Sequence, residues 1–320
     1  MEVLRSLKEK VDFKRACVAL GNFDGLHLGH QELIQMAISR ARECNGTPMV
    51  YTFDPHPMSI LRAGNLPGLI VSTEQKLKML ERMGIKAVVL QEFDESFSRV
   101  EADQFVEEML LQKLDLKRIV VGFNYHFGYK GSGDWKMLQT IGSQNNFGVD
   151  VIEPIKYKDE VVSSSKIRKL LIDGDVEYAS KLLGYFPILE GPVVHGDKLG
   201  RKIGFPTANM DIDSNILIPG RGVYAVKVFI QEKEYIGVLN IGLRPTVTNR
   251  SSLRVEVHIP QVKLDLYNKK ITVQLFKKIR NEQKFDNLTA LVDKINEDIN
   301  ATISFFETEV YSEGFANKVY

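Results

Sequence analysis

The chain has 320 residues, of which 44% are hydrophobic and 26% charged, and its formal net charge is +1. That length suits about two domains, and the composition is that of a folded globular protein rather than a disordered one. A charge this close to zero gives no broad electrostatic footprint for nucleic acid or a membrane surface. No apolar run is long enough to span a bilayer, and residues 1–5 lack the apolar stretch of a signal peptide. The two cysteines, Cys17 and Cys44, make neither a disulfide framework nor a zinc site by themselves. The expectation is a soluble cytoplasmic protein.

The first half alternates between strand and helix patterns. Residues 16–20 (ACVAL) form a short apolar run ending at Gly21 and read as a buried strand. From His30 onward, Leu33, Ile34, Ala37, Ile38 and Ala41 recur at helical spacing. Strands are then expected at 49–53, 85–90, 118–122 and 149–153, with helices at 74–83 and 101–113. Strands separated by helices imply βαβ units and a parallel sheet. Two short helices, 166–172 and 176–183, close this half.

Near Gly184 the character changes. Residues 222–230, 235–241, 253–259 and 271–276 read as strands separated by Gly, Pro, Asn and Asp. Strand after strand without long helices suggests an antiparallel barrel or sandwich. One helix ends the fold, with Leu288, Leu291, Val292, Ile295, Ile299 and Ile303 as its apolar stripe and Asp286 or Asn287 as its N-cap. The boundary falls at 184–187, giving modules 1–184 and 185–320. Residues 1–183 carry a net charge of −1 and residues 184–320 a net +2, so neutrality is not a cancellation of two highly charged halves.

The densest signal in the first half is Gly21-Asn22-Phe23-Asp24-Gly25-Leu26-His27-Leu28-Gly29-His30, set where a strand gives way to a helix. Free N–H groups and the helix dipole favour anions there. Glycines let phosphates approach the backbone, and His27 and His30, flanking Leu28 and Gly29, can donate hydrogen bonds to a charged phosphorus centre.

This string resembles the nucleotidyltransferase superfamily with the HxGH signature. Within it, the string is similar to the bacterial bifunctional riboflavin kinase/FAD synthetases. Thr52-Phe53-Asp54-Pro55-His56-Pro57, Val121-Gly122-Phe123-Asn124-Tyr125-His126-Phe127-Gly128 and Val162-Ser163-Ser164-Ser165-Lys166-Ile167-Arg168 resemble further segments of that family. The resemblance implies a Rossmann-like nucleotidyltransferase domain in which the FMN phosphate attacks the α-phosphorus of ATP, giving FAD and pyrophosphate. Positioning and charge stabilisation then do the work, with no protein nucleophile. It assigns Gly21, Phe23, Asp24, Gly25, His27, Gly29, His30, Ser164, Ser165 and Arg168 to ATP and its phosphates. Pro55, His56, Pro57, Asn124 and Phe127 fall on the flavin side, and Mg²⁺ bridges phosphate oxygens, largely hydrated. Ser163–Ser165 reads equally as a helix cap, and His56 as a turn residue shaping the wall.

In the second half, His195-Gly196-Asp197-Lys198-Leu199-Gly200-Arg201-Lys202-Ile203-Gly204-Phe205-Pro206-Thr207-Ala208-Asn209 is a Gly-rich loop leading to a hydroxyl and an amide. Such a loop can wrap a nucleotide, and Thr207 and Asn209 offer oxygens to Mg²⁺ and phosphate. The chain contains no Gly-Lys dipeptide, so a kinase here is not of the P-loop type. Strand alternation places Glu256 on one face with Arg254 and His258, opposite Val255 and Val257. That face reads as surface or as active-site lining.

The string, with Pro219-Gly220-Arg221-Gly222-Val223-Tyr224, Asn240-Ile241-Gly242-Leu243-Arg244-Pro245-Thr246, Val255-Glu256-Val257-His258 and Lys278-Ile279-Arg280-Asn281-Glu282-Gln283-Lys284-Phe285, is similar to the family's riboflavin kinase module, a small antiparallel β-barrel. The resemblance implies that Gly200, Gly204, Pro206, Thr207 and Asn209 hold ATP and Mg²⁺. It places Glu256 and Arg280 beside the flavin, with Glu256 as the base that takes the proton of the riboflavin 5′-hydroxyl. Two stretches depart from the family: 260–268, where the family's Phe-rich run is missing and Asn268 replaces glycine, and 247–250, which lacks a glycine turn. Asn tolerates positive φ, which suits the Asn268 turn.

The expected function is two-step synthesis of FAD from riboflavin, using ATP twice. The expected partners are small-molecule flavins and ATP, without membrane or nucleic acid. A FAD synthetase with an idle kinase module, and a flavin-sensing regulatory protein, are the alternatives.

Overall fold

The computed structural model describes residues 1–7, 11–61, 68–196, 199–231, 233–243, 253–260 and 265–308. Residues 244–246 of the string Asn240–Thr246, the departure at 247–250 and residues 261–264 of that at 260–268 lie outside the described residues. The described residues form two compact units, one over 1–164 and the other over 165–308.

The first unit is built on six parallel strands: β1 (Glu2–Arg5), β2 (Ala16–Leu20), β3 (Pro48–Asp54), β4 (Ala87–Glu92), β5 (Leu116–Gly122) and β6 (Gly148–Ile152). Their order is β1-β4-β3-β2-β5-β6, and all neighbours are parallel. Parallel strands need crossovers. Helices α1 (Leu28–Glu43), α2 (Thr73–Met83) and α3 (Trp135–Asn145) lie in the connections after β2, β3 and β5. Every residue of β2 is buried, as its unbroken apolar run requires of a strand covered on both faces. Val18, Leu20, Met49, Tyr51, Val89, Ile119 and Val121 share one core with Phe105, Val106 and Leu110.

The chain order reverses between β2 and β5. From β2 the strands proceed to β3 and β4 on one side, and from β5 to β6 on the other. In open α/β sheets the crevice at such a reversal, beyond the carboxyl ends of the strands, is where ligands bind. The two loops that leave this point are 21–27 after β2 and 123–125 after β5.

Three elements differ from the sequence expectation. The helix expected at 101–113 is a short α-helical turn, Ala102–Gln104, followed by a π-helix, Phe105–Leu111. Its apolar residues still face the core, so their spacing alone does not reveal the widened turn. Helix α3 is not foreseen, although Asp134 caps it by accepting from Met137 N at 3.0 Å and Asn146 ends it in the left-handed region. Strand β1 pairs with β4 at the sheet edge.

The second unit holds a closed barrel of six antiparallel strands: β7 (Ile188–Val194), β8 (Thr207–Met210), β9 (Gly222–Ile230), β10 (Lys233–Leu243), β11 (Leu253–His258) and β12 (Lys270–Arg280). They close in the order β7-β8-β11-β10-β9-β12. Thr207 to Asn209, read as the end of a loop, is a strand, and Lys278 to Arg280 belongs to β12. Asn268 takes φ 61°, and its N–H donates to Val193 O at 2.9 Å, so the turn survives the loss of glycine.

Helices α4 (Ser164–Asp173) and α5 (Val176–Leu183) associate with the barrel. Gly220 N donates to Leu171 O at 2.8 Å, Lys278 Nζ to Asp173 O at 3.5 Å, and α5 packs on β12. Compactness therefore divides the chain at 164/165, while the change to β-rich sequence near 184–187 coincides with the approach to β7.

The terminal helix α6 (Leu288–Thr308) is capped by Asn287, whose Oδ1 accepts from Ala290 N at 2.8 Å. Its buried residues are Asp298, Thr302 and Phe305, while Leu288 of the expected stripe is exposed. Phe305 joins Phe186, Ala225 and Phe276. Asp298 is drawn inward by Arg280: Arg280 Nε lies 2.9 Å from Oδ1 and Nη2 2.8 Å from Oδ2.

Candidate active sites

The first site is the strand–loop–helix at β2 and α1. His27 is the N-cap of α1; its Nδ1 accepts from His30 N at 3.3 Å. An Nδ1 that accepts leaves the proton of the neutral ring on Nε2, where it can be offered as a donor. The His27 and His30 rings stack at 3.6 Å with 14° between planes, and Phe23 meets His30 edge-on at 5.3 Å. Both imidazoles are thus set at a helix N-terminus, where an anion is favoured.

The loop before them is tightly shaped. Phe23 (φ 50°), Gly25 (φ 79°) and Leu26 (φ 37°) all lie in the left-handed region, which residues with a Cβ adopt at a cost. At Gly25 a Cβ would also stand 2.9 Å from Ile70 Cδ1. Polar clamps hold the loop. Buried Asp24 accepts from Ile70 N through Oδ1 at 3.0 Å, and Ser164 Oγ donates to Asp24 O at 3.0 Å. Thr52 Oγ1 donates to Asn22 O at 3.1 Å, and Lys76 Nζ reaches the same oxygen at 3.3 Å. Burial pushes the Lys76 ammonium below its ordinary range, against the pull of Asp24 and Asp54.

The walls come from the next loops. His56 Nδ1 accepts from Met58 N at 3.1 Å, and Ser59 Oγ donates to His56 O at 2.6 Å. His56 thus caps the short helix Pro57–Leu61, with Pro57 buried and Pro55 exposed. After β5, Phe123 and Asn124 are exposed, whereas Phe127 is buried between Phe105 and Tyr125. His126 Nδ1 donates to Asn124 O at 3.0 Å, because a carbonyl can only accept. Along α4, Ser165 is exposed and Arg168 buried, and both fall in the second compact unit.

The second site is a patch of barrel wall. Register aligns Asn209 of β8, Glu256 of β11 and Asn240 of β10 in one row, and Thr207, His258 and Val238 in the next. Directly opposed residues share a face, so Thr207, Asn209, Asn240, Glu256 and His258 project together. Val255 and Val257 alternate to the buried side. Arg254 Nη1 lies 3.6 Å from Glu256 Oε1, and His258 Nδ1 donates to Pro206 O at 2.8 Å.

The Gly-rich loop folds over β8. Gly200 O accepts from Phe205 N at 2.8 Å and from Ile203 N at 3.2 Å. A Cβ at Gly200 would overlap the Phe205 carbonyl oxygen, so the turn needs glycine. Gly204 is exposed on the same turn. Arg280, expected beside a flavin, is engaged by Asp298, with Nη1 on Asn281 O at 3.1 Å. Among the described residues no three His, Cys, Asp or Glu side chains gather as a metal cluster.

Residues 9–166 match the family model for FAD synthetase, and residues 183–306 match that for riboflavin kinase. A bifunctional riboflavin kinase/FMN adenylyltransferase of Buchnera aphidicola subsp. Schizaphis graminum is 37% identical over 96% of this chain and 99% of its own. The protein of that description from Escherichia coli K12 is 37% identical over 92% of this chain and 94% of its own. The chain belongs to the bifunctional riboflavin kinase/FMN adenylyltransferase family. A crystal structure of a Streptococcus pneumoniae protein described as a macrolide-efflux protein also superimposes on it. The TM-score is 0.86 at 31% identity, covering 94% of this chain and 98% of that one. Among the described residues of the present chain, no helix is long and apolar enough to cross a membrane.

Family membership accounts for the order of the motifs, and the geometry adds residues that the motifs leave out. Lys76 reads as one more lysine of an amphipathic helix, yet it is buried under the loop. Asn240 opens the string Asn240–Thr246 without being singled out as a site residue, and strand register puts it beside Glu256.

Proposed function

We propose that the chain converts riboflavin to FMN in its C-terminal module, residues 185–320, and FMN to FAD in its N-terminal module, residues 1–184, in the cytoplasm. The observation that carries the second step is the stacked His27–His30 pair at the N-terminus of α1, above a clamped loop. The FMN phosphate oxygen attacks the α-phosphorus of ATP, and the bond to pyrophosphate breaks. His27 and His30 donate to the oxygens on which charge builds, and the N-terminus of α1 adds its dipole. Ser164, Ser165 and Arg168 hold the departing phosphates, while Pro55, His56, Pro57, Asn124 and Phe127 shape the flavin side.

In the barrel, Glu256 takes the proton of the riboflavin 5′-hydroxyl as that oxygen attacks the γ-phosphorus and ADP leaves. Gly200, Gly204 and Pro206 shape the turn that covers the nucleotide, and Arg280 borders the flavin. Thr207 Oγ1 and Asn209 Oδ1 are neutral, hard oxygen donors on the face of Glu256, a set that fits Mg²⁺ sharing its shell with phosphates and water. When bound, that ion supplies neutralisation of the phosphate charge.

The test is to incubate the protein with riboflavin, ATP and Mg²⁺, and separately with FMN, ATP and Mg²⁺, and to resolve the flavins by chromatography. FMN and FAD are expected in the first tube and FAD in the second. FAD from FMN without FMN from riboflavin would remove the kinase step, and no product in either tube would refute both.

A further inference from the structure

Helix α2 carries two lysines with opposite fates. Lys78 is exposed and pairs with Glu74 at 2.8 Å. Lys76, two residues earlier, is only 6% exposed. A buried ammonium is unfavourable unless polar partners replace its water. Its partners are Asn22 O at 3.3 Å and Thr52 Oγ1 at 3.4 Å, with the carboxylates of Asp24 and Asp54 acting on it electrostatically. Thr52 Oγ1 in turn donates to Asn22 O at 3.1 Å. One carbonyl oxygen, at the entrance to the loop, therefore receives two side-chain donors from two different elements, α2 and β3.

That carbonyl is where the chain leaves β2 and turns into the left-handed residues Phe23, Gly25 and Leu26. Strained backbone persists only where its surroundings over-determine it. A loop released at Asn22 would relax, and His27 at its far end would lose its place relative to His30.

We propose that Lys76, acting with Thr52 on the Asn22 carbonyl, is a positioning residue for adenylyl transfer. It fixes the path of the phosphate loop and so the alignment of His27, without touching substrate. This rests on the adenylyltransferase reading of the first unit. The competing role, a lysine that merely docks α2 on the sheet, would lower thermal stability and leave turnover alone.

The experiment uses the full chain and compares the parent, Lys76→Met, Thr52→Val and the double variant at a temperature where circular dichroism shows each folded. FMN-to-FAD and riboflavin-to-FMN rates are measured separately. Failure of the parent to make FAD from FMN would refute the underlying reading rather than the role of Lys76. With an active parent, Lys76→Met should lower kcat for FAD formation about 10- to 100-fold, the scale of a small misplacement. The KM for ATP should move by less than about threefold, as expected for an interaction that matters in the transition state, and FMN formation should be untouched. The double variant should lose less than the product of the single losses, because both donors serve one acceptor. Parental kcat in Lys76→Met, or losses that multiply in the double variant, would overturn the proposal. If Lys76→Met does not fold, Thr52→Val decides alone. A tenfold loss of kcat supports the proposal and parental kcat overturns it.

Discussion

In the first unit the proposed phosphate-facing loop and histidines come from one continuous stretch, residues 21–30, and their placement is a matter of backbone conformation. Three left-handed residues bend the loop, polar clamps hold it, and a helix N-terminus finishes it. In the barrel, Asn209, Asn240 and Glu256 are 31 and 16 residues apart in sequence and are brought together by strand register alone. A loop site of the first kind is vulnerable to changes in φ and to loss of its struts. A row of the second kind tolerates local backbone change poorly only where that change shifts pairing, and otherwise depends on the side chains themselves.

That contrast can be broken most directly at the reacting groups. His30→Ala should lower FAD formation by about 100- to 10,000-fold, the range typical of removing a group that acts on the transition state, and leave FMN formation intact. Glu256→Ala should do the reverse. Separate chromatographic assays of the two steps check both, and loss of both activities in either variant would refute independent sites.

The next largest effect should come from Asp298→Ala, which leaves Arg280 without its buried partner. Breaking such a pair costs about 3–5 kcal/mol. The melting transition of the second unit should fall, and FMN formation with it. A parental melting curve would show that β12 does not depend on α6.

A backbone test sharpens the other half. Gly25→Ala should destabilise the first unit by about 1–2 kcal/mol, because a Cβ is disfavoured at φ 79°. FAD formation should fall further than stability alone explains. Denaturant unfolding alongside kinetics measures both.

At neutral pH the smallest effect concerns Cys17, whose thiol burial pushes up to about 12. The ordinary thiol value is about 8.5. A folded-state value above the unfolded one means that stability from the neutral thiol is complete below about pH 8.5 and is lost as pH rises toward 12. The melting temperature of the parent should therefore fall more steeply over that window than that of Cys17→Ala.

Much of both sites can be read from sequence because chemistry and local structure coincide there. Gly21, Gly25, His27 and His30 fall at a strand end and a helix start, and each type has a local reason for its position. The two-residue alternation along β11 is likewise enough to separate Glu256 from Val255 and Val257. What escapes is what depends on tertiary packing. Lys76 lies in a helix whose charged residues mostly face water, and only the approach of β2 and β3 buries it. Thr207 follows Gly200, Gly204 and Pro206, so it reads as loop, and it becomes strand by pairing with His258. Asp298 interrupts an apolar stripe, and its burial follows from Arg280, which is brought near by the end of β12. Helix α3 is a different case: Asp134 as cap, with Met137, Leu138 and Ile141 at helical spacing, is a local signal that periodicity could have found.

The closure of the barrel has a consequence for how this chain can change over time. A strand side-chain pattern has a period of two, so a single residue inserted within β11 would carry Glu256 to the interior and Val255 or Val257 to the outside. In an open sheet an edge strand can slide to absorb such an insertion, but β11 is hydrogen-bonded on both sides, to β8 and β10. Length variation should therefore be tolerated in the connecting segments and rejected within the strands, which makes the barrel a parity lock on its own row of polar side chains.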